Sequence, residues 1–366
     1  TGRIAGHTPS LSSTNRPKSP AKKRGAMIPV STSACQDQRQ TEPGWQSILQ
    51  HAVSDPVELC RRLALPLSDQ EAITAACQLF PLRVPEPYLA RIEMGNASDP
   101  LLLQVLPQAM ELQEHAGFIS DPLDEQAHNP VPGLVHKYAS RVLLITTSLC
   151  AVHCRYCFRR EFPYDDNRNS RLDWQQALDY VRTHQELNEV ILSGGDPLSL
   201  PDRQLGWLME QIAAIPHIRR LRIHSRLPVV IPQRITKECL AWLTGNRLQT
   251  IMVLHCNHPN EIDLAVSNAI KQLCKAGITV LNQSVLLAGI NDHAPTLASL
   301  SERLFAAGAL PYYLHALDRV RGSHHFAVQD GRGIQIHHEL QALLPGFLVP
   351  RLVREEAGHH SKSWLV

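Results

Sequence analysis

Cys150, Cys154 and Cys157 fall within eight residues, in the stretch TTSLCAVHCRYCFRR, and carry the strongest chemical signal in the chain. Three thiolates in one short loop can wrap a single iron–sulfur cubane, since such clusters are held by cysteine thiolate. The absence of a fourth cysteine is informative. Three protein ligands leave one iron of a [4Fe–4S] cluster open, and an open metal position is where chemistry happens. A structural zinc site needs four closed ligands, and no further Cys or His follows at finger-like spacing. Zinc completed by a distant histidine, or three unpaired thiols, are the alternatives. The remaining cysteines (Cys35, Cys60, Cys77, Cys239, Cys256 and Cys274) are scattered, unlike the framework of a small disulfide-rich protein.

A loop of this kind must be held by regular elements, and from Arg141 onward the chain alternates between strand and helix patterns. Strands are expected at Val142–Thr146, Glu189–Ser193, Leu221–Ser225, Thr250–His255, Thr279–Leu287 and Pro311–Leu317. Amphipathic stretches such as DWQQALDYVRTH and EIDLAVSNAIKQLCKAG lie between them. Apolar strands alternating with helices predict a parallel sheet covered on both faces. Six such units are too few to close an eightfold barrel. The expected class is therefore α/β, an open, partial (β/α)6 TIM-like barrel with a helical N-terminal region. A doubly wound sheet is the alternative. The cysteine loop follows the first strand, and SGGDPL (Ser193–Leu198) closes the second. His224, Arg226, His255, Asn257, His258 and Gln283 stand at or just past later strand ends, the rim where β/α folds assemble their sites, and are expected to line a pocket.

Residues 1–26 are rich in Ser, Pro, Thr, Lys and Arg and should form a disordered extension, with Met27 a plausible start. Residues 27–133 carry short helical patterns such as WQSILQHAV and VELCRRLAL, punctuated by Pro81, Pro85 and Pro87. The barrel is expected over residues 134–320 and a C-terminal segment over 321–366. A formal net charge of +2 gives no reason to expect nucleic acid, and no apolar run suits a membrane. The cysteine usage fits a reducing cytoplasm. Whether the chain forms a homo-oligomer is open.

The cysteine spacing after a strand, with SGGDPL one strand downstream, resembles the radical S-adenosylmethionine (SAM) superfamily. There the glycine-rich segment, here Ser193, Gly194, Gly195 and Asp196, meets the amino group of SAM. From Leu134 to Lys362 the chain more closely resembles the lysine 2,3-aminomutase family, through HKYASRVLL, CRYCFRR, LSGGDPL, SRLPVVIPQRI, NHPNEI, NQSVLLAGIND and PYYL. The length and the ending EEAGHHSKSWLV resemble its EpmB branch, which makes β-lysine for modification of elongation factor P.

The resemblance implies pyridoxal 5′-phosphate (PLP) as a further cofactor, carried as a Schiff base on Lys362. Lys137, Tyr138 and Arg141 would anchor its phosphate; the family usually has arginine at the first of these. His255 and Gln283 would line the cofactor pocket. Arg159 would clamp the carboxylate of lysine, while Asp292 and Glu355 would take its far ammonium, the latter standing where the family has aspartate. The implied reaction is isomerisation of α-lysine to β-lysine. A flavodoxin- or ferredoxin-type one-electron reductant and an elongation factor P ligase would be the partners. A free-lysine aminomutase of metabolism, a glutamate-specific relative and a non-catalytic iron–sulfur redox protein are the rival readings.

Overall fold

The computed structural model describes residues 1–2, 43–66, 69–164 and 171–366. The expected N-terminal extension, Met27 and Cys35 lie outside these residues, apart from Thr1 and Gly2. One sheet organises the rest, with strands side by side in chain order. They are β1 (Leu134–Tyr138), β2 (Arg141–Thr147), β3 (Glu189–Gly194), β4 (Arg220–Ser225), β5 (Gln249–His255), β6 (Thr279–Val285), β7 (Leu310–His315), β8 (Arg351–Arg354) and β9 (Ser363–Trp364). Strands β2 to β8 pair in parallel, and β1 and β9 add antiparallel edges. No pairing joins β9 to β1, so the sheet is open.

The six strands expected from sequence are β2 to β7. Helices at Arg171–Thr183, Asp202–Ala213, Lys237–Thr244, Leu264–Lys275, Ala294–Ala307 and Asp330–Leu343 carry the chain from each strand to the next, which makes six β/α units and a final strand, β8. The helices present apolar faces to the sheet, as Leu205, Leu208, Met209 and Ile212 do. Asp263 and Thr236 side chains accept the N–H groups of Val266 and Cys239, stopping two helix starts from fraying. β6 and β7 end two residues earlier than their apolar runs suggested. Leu286, Leu287 and Leu317 leave the ladder but stay buried, which is why their apolarity read as strand. β1, β8 and β9 carried too little periodicity to be seen: β8 is only RLVR and β9 only Ser-Trp.

The N-terminal region, from Pro43 on, is a set of short helices, each broken by proline or a tight turn. Its Trp45, Leu59, Tyr88 and Leu101 belong to the same buried cluster as Leu144, Leu192 and Ile223 of the sheet. It therefore shares the barrel's core instead of forming one of its own, with Arg91 donating to the Val229 and Glu261 carbonyls past β4 and β5.

Two glycines lock the cysteine loop onto β3. A Cβ on Gly194 would lie 2.6 Å from the Thr147 carbonyl, and one on Gly195 would collide with the backbone of Leu149. Their absence lets Gly195 N–H bond Thr147 O (2.6 Å) and Asp196 N–H bond Leu149 O (2.7 Å). In the resemblance these glycines admit a ligand; here they also admit the loop's own backbone.

Candidate active site

The C-terminal ends of the parallel strands open on a cavity of about 770 Å³. Cys150, Cys154 and Cys157 line one end of it, and none is in a disulfide. Burial pushes the Cys157 thiol up to about 11, with Cys154 beside it adding to the rise. Cys154 Sγ accepts a hydrogen bond from Arg226 Nη1 at 2.6 Å. Among the described residues no three His, Cys, Asp or Glu side chains converge as ligands of a single ion. A cubane takes one thiolate per iron, so its ligands stand further apart than those of a mononuclear site. The loop suits a cluster better than zinc.

Next along the cavity come Ser193, Gly194, Gly195 and Asp196. Asp196 is buried, and its carboxylate accepts from Ser225 Oγ (2.7 Å) and from the N–H groups of Leu198, Arg226 and Leu227. Burial pushes its carboxyl up to about 6 although these bonds pull the other way. Asp196 thus ties the end of β3 to that of β4. His255 and Gln283 meet across β5 and β6, with His255 Nε2 2.9 Å from the Gln283 amide nitrogen. Burial, aided by Arg226 and Arg159, holds His255 down at about 3, so its ring is neutral and offers an acceptor.

Arg159 lines the same space, and its guanidinium is gripped by an acid that the sequence did not single out. Nε and Nη2 donate to the two oxygens of Glu125, both at 2.7 Å, and Nη1 donates to Ser193 Oγ at 2.9 Å. Both charged side chains are almost fully buried, at 6% and 7% exposed.

The far end is built by the last strands. β9 turns back antiparallel on β8, pairing Ser363 with Arg354, and this return directs Lys362 into the cavity. Without it, a lysine so near the end of the sequence would be read as a solvated tail residue. Lys362 Nζ donates to Glu355, whose other oxygen lies 3.6 Å from Lys137 Nζ. Although burial opposes it, the Lys362 ammonium, with Lys137 behind it, holds Glu355 down at about 2. Tyr138 and Arg141 complete this end, the guanidinium standing 4.0 Å over the Tyr138 ring.

Two expected lining residues lie elsewhere. Asp292 does not border the cavity: it sits in the loop after β6, where Oδ1 accepts the Gly289 N–H at 3.1 Å. That loop is turned by the buried Asn291 side chain, which bonds Leu287, Asn257 and Val285 backbone groups, leaving Asp292 on its outer side. His258 is also absent from the lining, its ring accepting Asn260 N–H at the start of a 3-10 turn. The acid at the Lys362 end is instead Asp318, three residues past β7. Burial, and then Glu355 nearby, pushes its carboxyl up to about 7. The strand-end rule that marked His255 would have marked Asp318; Glu125 has no comparable signal.

The residues fit the implied cofactors. Three thiols in one loop suit a cluster with an open iron, while a lysine beside basic and aromatic groups suits a phosphate-bearing aldehyde. Two buried ring nitrogens on the cavity wall, Nε2 of His224 and of His315, have no hydrogen-bond partner among the described residues. Buried polar atoms are seldom left so, and a polar ligand would satisfy them.

Residues 144–246 match the model of the Radical SAM superfamily. The L-lysine 2,3-aminomutase of Haemophilus influenzae is 52% identical over 88% of this chain and 95% of its own length. That of Escherichia coli is 51% identical over 87% of this chain and 93% of its own. That of Clostridium subterminale is 35% identical over 87% of this chain and 77% of its own. With the cysteine loop, the open parallel sheet and Lys362 in one cavity, these likenesses settle the assignment. The chain belongs to the L-lysine 2,3-aminomutase family of radical SAM isomerases, whose cofactors are a [4Fe–4S] cluster, SAM and PLP.

Proposed function

We propose that the chain converts α-lysine to β-lysine in this cavity and that the product serves β-lysylation of elongation factor P. The observation that carries the first part is a single cavity lined by the three thiols together with Lys362, Glu355 and Asp318. When bound, the cluster with SAM supplies hydrogen-atom abstraction, and PLP supplies the conjugated system across which an amino group migrates.

The protein's own task is to hold charges apart and water out. Cys150, Cys154 and Cys157 would hold the cluster. Ser193, Gly194 and Gly195, with His255 and Gln283, would border SAM and the reacting atoms. Lys362 would carry PLP, with Lys137, Tyr138 and Arg141 at its phosphate. Arg159, squared by Glu125, would take the substrate carboxylate through the one N–H that Glu125, Ser193 and Gly194 leave free. Glu355 and Asp318 would take the distal ammonium. Opposed charges at the two ends suit a diamino acid and disfavour glutamate, whose second carboxylate would meet two acids.

Anaerobic protein loaded with iron, sulfide and PLP, then given SAM, dithionite and L-lysine, is expected to yield β-lysine. Failure to cleave SAM would favour a non-catalytic redox protein instead. Asp318→Asn is expected to lower kcat/KM for lysine on the order of 10²-fold, since a buried ammonium loses half its charge partners. Asp292→Asn should stay within about twofold of the parent, as is usual for a loop carboxylate outside the pocket. The reverse pattern would return the role to Asp292. Asp318 binds an ammonium only when ionised, so lysine affinity should rise as pH rises through about 7. Asp318→Asn should flatten that rise.

The elongation factor P role rests on the resemblance of the segment EEAGHHSKSWLV to the EpmB branch. Cells lacking the protein should show elongation factor P without β-lysine in its mass spectrum. Normal modification would favour a free-lysine aminomutase of metabolism.

A further inference from the structure

The cysteine loop presents its thiols to the cavity, but not every residue between them lines it. Arg155, between Cys154 and Cys157, is fully buried. Its Nε and Nη2 donate to the two oxygens of Glu111 at 2.8 and 2.6 Å, and Nη1 donates to Phe80 O at 2.8 Å. Arg160, three residues past Cys157, donates from Nη2 to the same Glu111 carboxylate at 2.8 Å and from Nη1 to Arg155 O at 3.1 Å. A fourth bond, from Gln108 N–H at 2.9 Å, saturates the carboxylate. Both guanidinium groups lie over the Phe80 ring, at 4.9 and 4.8 Å. The loop backbone is tied to the same wall, His153 N–H to Arg83 O (3.1 Å) and Arg155 N–H to Gln104 O (2.9 Å).

One carboxylate from the 3-10 turn Ala109–Leu112 therefore joins two arginines that straddle a cluster cysteine. The carboxylate and both arginine side chains are dry, at 4% exposure or less. Buried charge networks of this kind have few alternative geometries, because each displaced partner leaves an uncompensated charge. We infer that Glu111 is a positioning residue of the metal site, fixing the Cys154–Cys157 turn in its ligating shape before any iron is present. The inference rests on the reading of the cysteine triplet as the cluster site. It makes the N-terminal region part of that site, although it supplies none of the ligands.

In Glu111→Gln the amide nitrogen would face guanidinium donors and the charge pairing would be lost. The metal-free variant should react with 5,5′-dithiobis(2-nitrobenzoate) at Cys150, Cys154 and Cys157 about tenfold faster than the parent, as local opening becomes cheaper. Anaerobic iron uptake should fall below half the parent level. PLP loading on Lys362, read by borohydride trapping, should not change, because that end of the cavity shares no residue with the brace. A general loss of stability would lower both loadings together. Gly322→Ala reaches the brace from outside: its Cβ would lie 3.0 Å from Arg160 Nη1 and 3.1 Å from Glu111 O, at a φ of +77°. It should cause the same selective loss of iron. Parent-like thiol reactivity and iron uptake in folded Glu111→Gln would overturn the inference; if that variant does not fold, the same two readings in Gly322→Ala decide. Should the parent itself take up no iron, the cluster reading fails instead.

Discussion

Replacing Cys157 by alanine is expected to leave the protein without its cluster and without any SAM cleavage. The parent, reconstituted anaerobically, should bind about four irons per chain and be brown. Each thiolate serves one iron, so losing one removes a quarter of the corners from protein control and lets solvent compete for the rest. The same outcome is expected for Cys150→Ala and Cys154→Ala. Cys239→Ala is the control. Its thiol is buried in the core, and burial pushes it up to about 12, so it is an inert packing group. That change should cost about 1 kcal/mol of stability for the small void and leave iron content unaltered. Iron content and the visible spectrum read both results. A triplet variant with an unchanged spectrum would end the cluster assignment.

Lys362→Ala is expected to abolish turnover while the iron stays in place. Covalent capture of PLP needs a primary amine, and borohydride reduction with peptide mapping should place the pyridoxyl group of the parent on Lys362. Lys137 is the competing amine in the cavity. Its Nζ is already bound to the Leu123 carbonyl and lies beside Glu355, so it should remain unlabelled. Lys362→Arg separates charge from chemistry. A guanidinium can keep the pairing with Glu355, yet it stays protonated and cannot form the imine. It should therefore be as inactive as the alanine variant but more stable, because Glu355 keeps its counter-charge. Label on Lys137, or turnover in either variant, would overturn the assignment of Lys362.

Features of the site set by neighbouring residues could be read without the fold. The three cysteines share one short loop, so their spacing alone defines a metal-binding unit. The six strand patterns likewise sit in contiguous apolar runs, and the parallel, open sheet follows from their alternation with helices. SGGDPL is legible because Gly194 and Gly195 occupy positions where any Cβ would strike backbone. Lys362 is different. Nothing local marks it, and only the likeness to a family pointed there; the antiparallel return of β9 on β8 is what turns it inward.

What the tertiary structure alone decided are the pairings between residues far apart in the chain. Asp292, seven residues past β6, carries no sign in the sequence of which side of its loop it will face. Asp318, three residues past β7, stands where the strand-end rule would have placed a lining residue. The buried Asn291 side chain settled the first by turning its loop so that Asp292 bonds Gly289, and the exit from β7 settled the second. Glu125 meets Arg159 across 34 positions, and Glu111 meets Arg155 across 44. Neither acid has a periodic or motif signature, because a buried charge is chosen by its partner rather than by its neighbours in sequence. The cluster loop could thus be read from spacing, while its bracing and the acids around Lys362 exist only once the sheet has brought distant segments together.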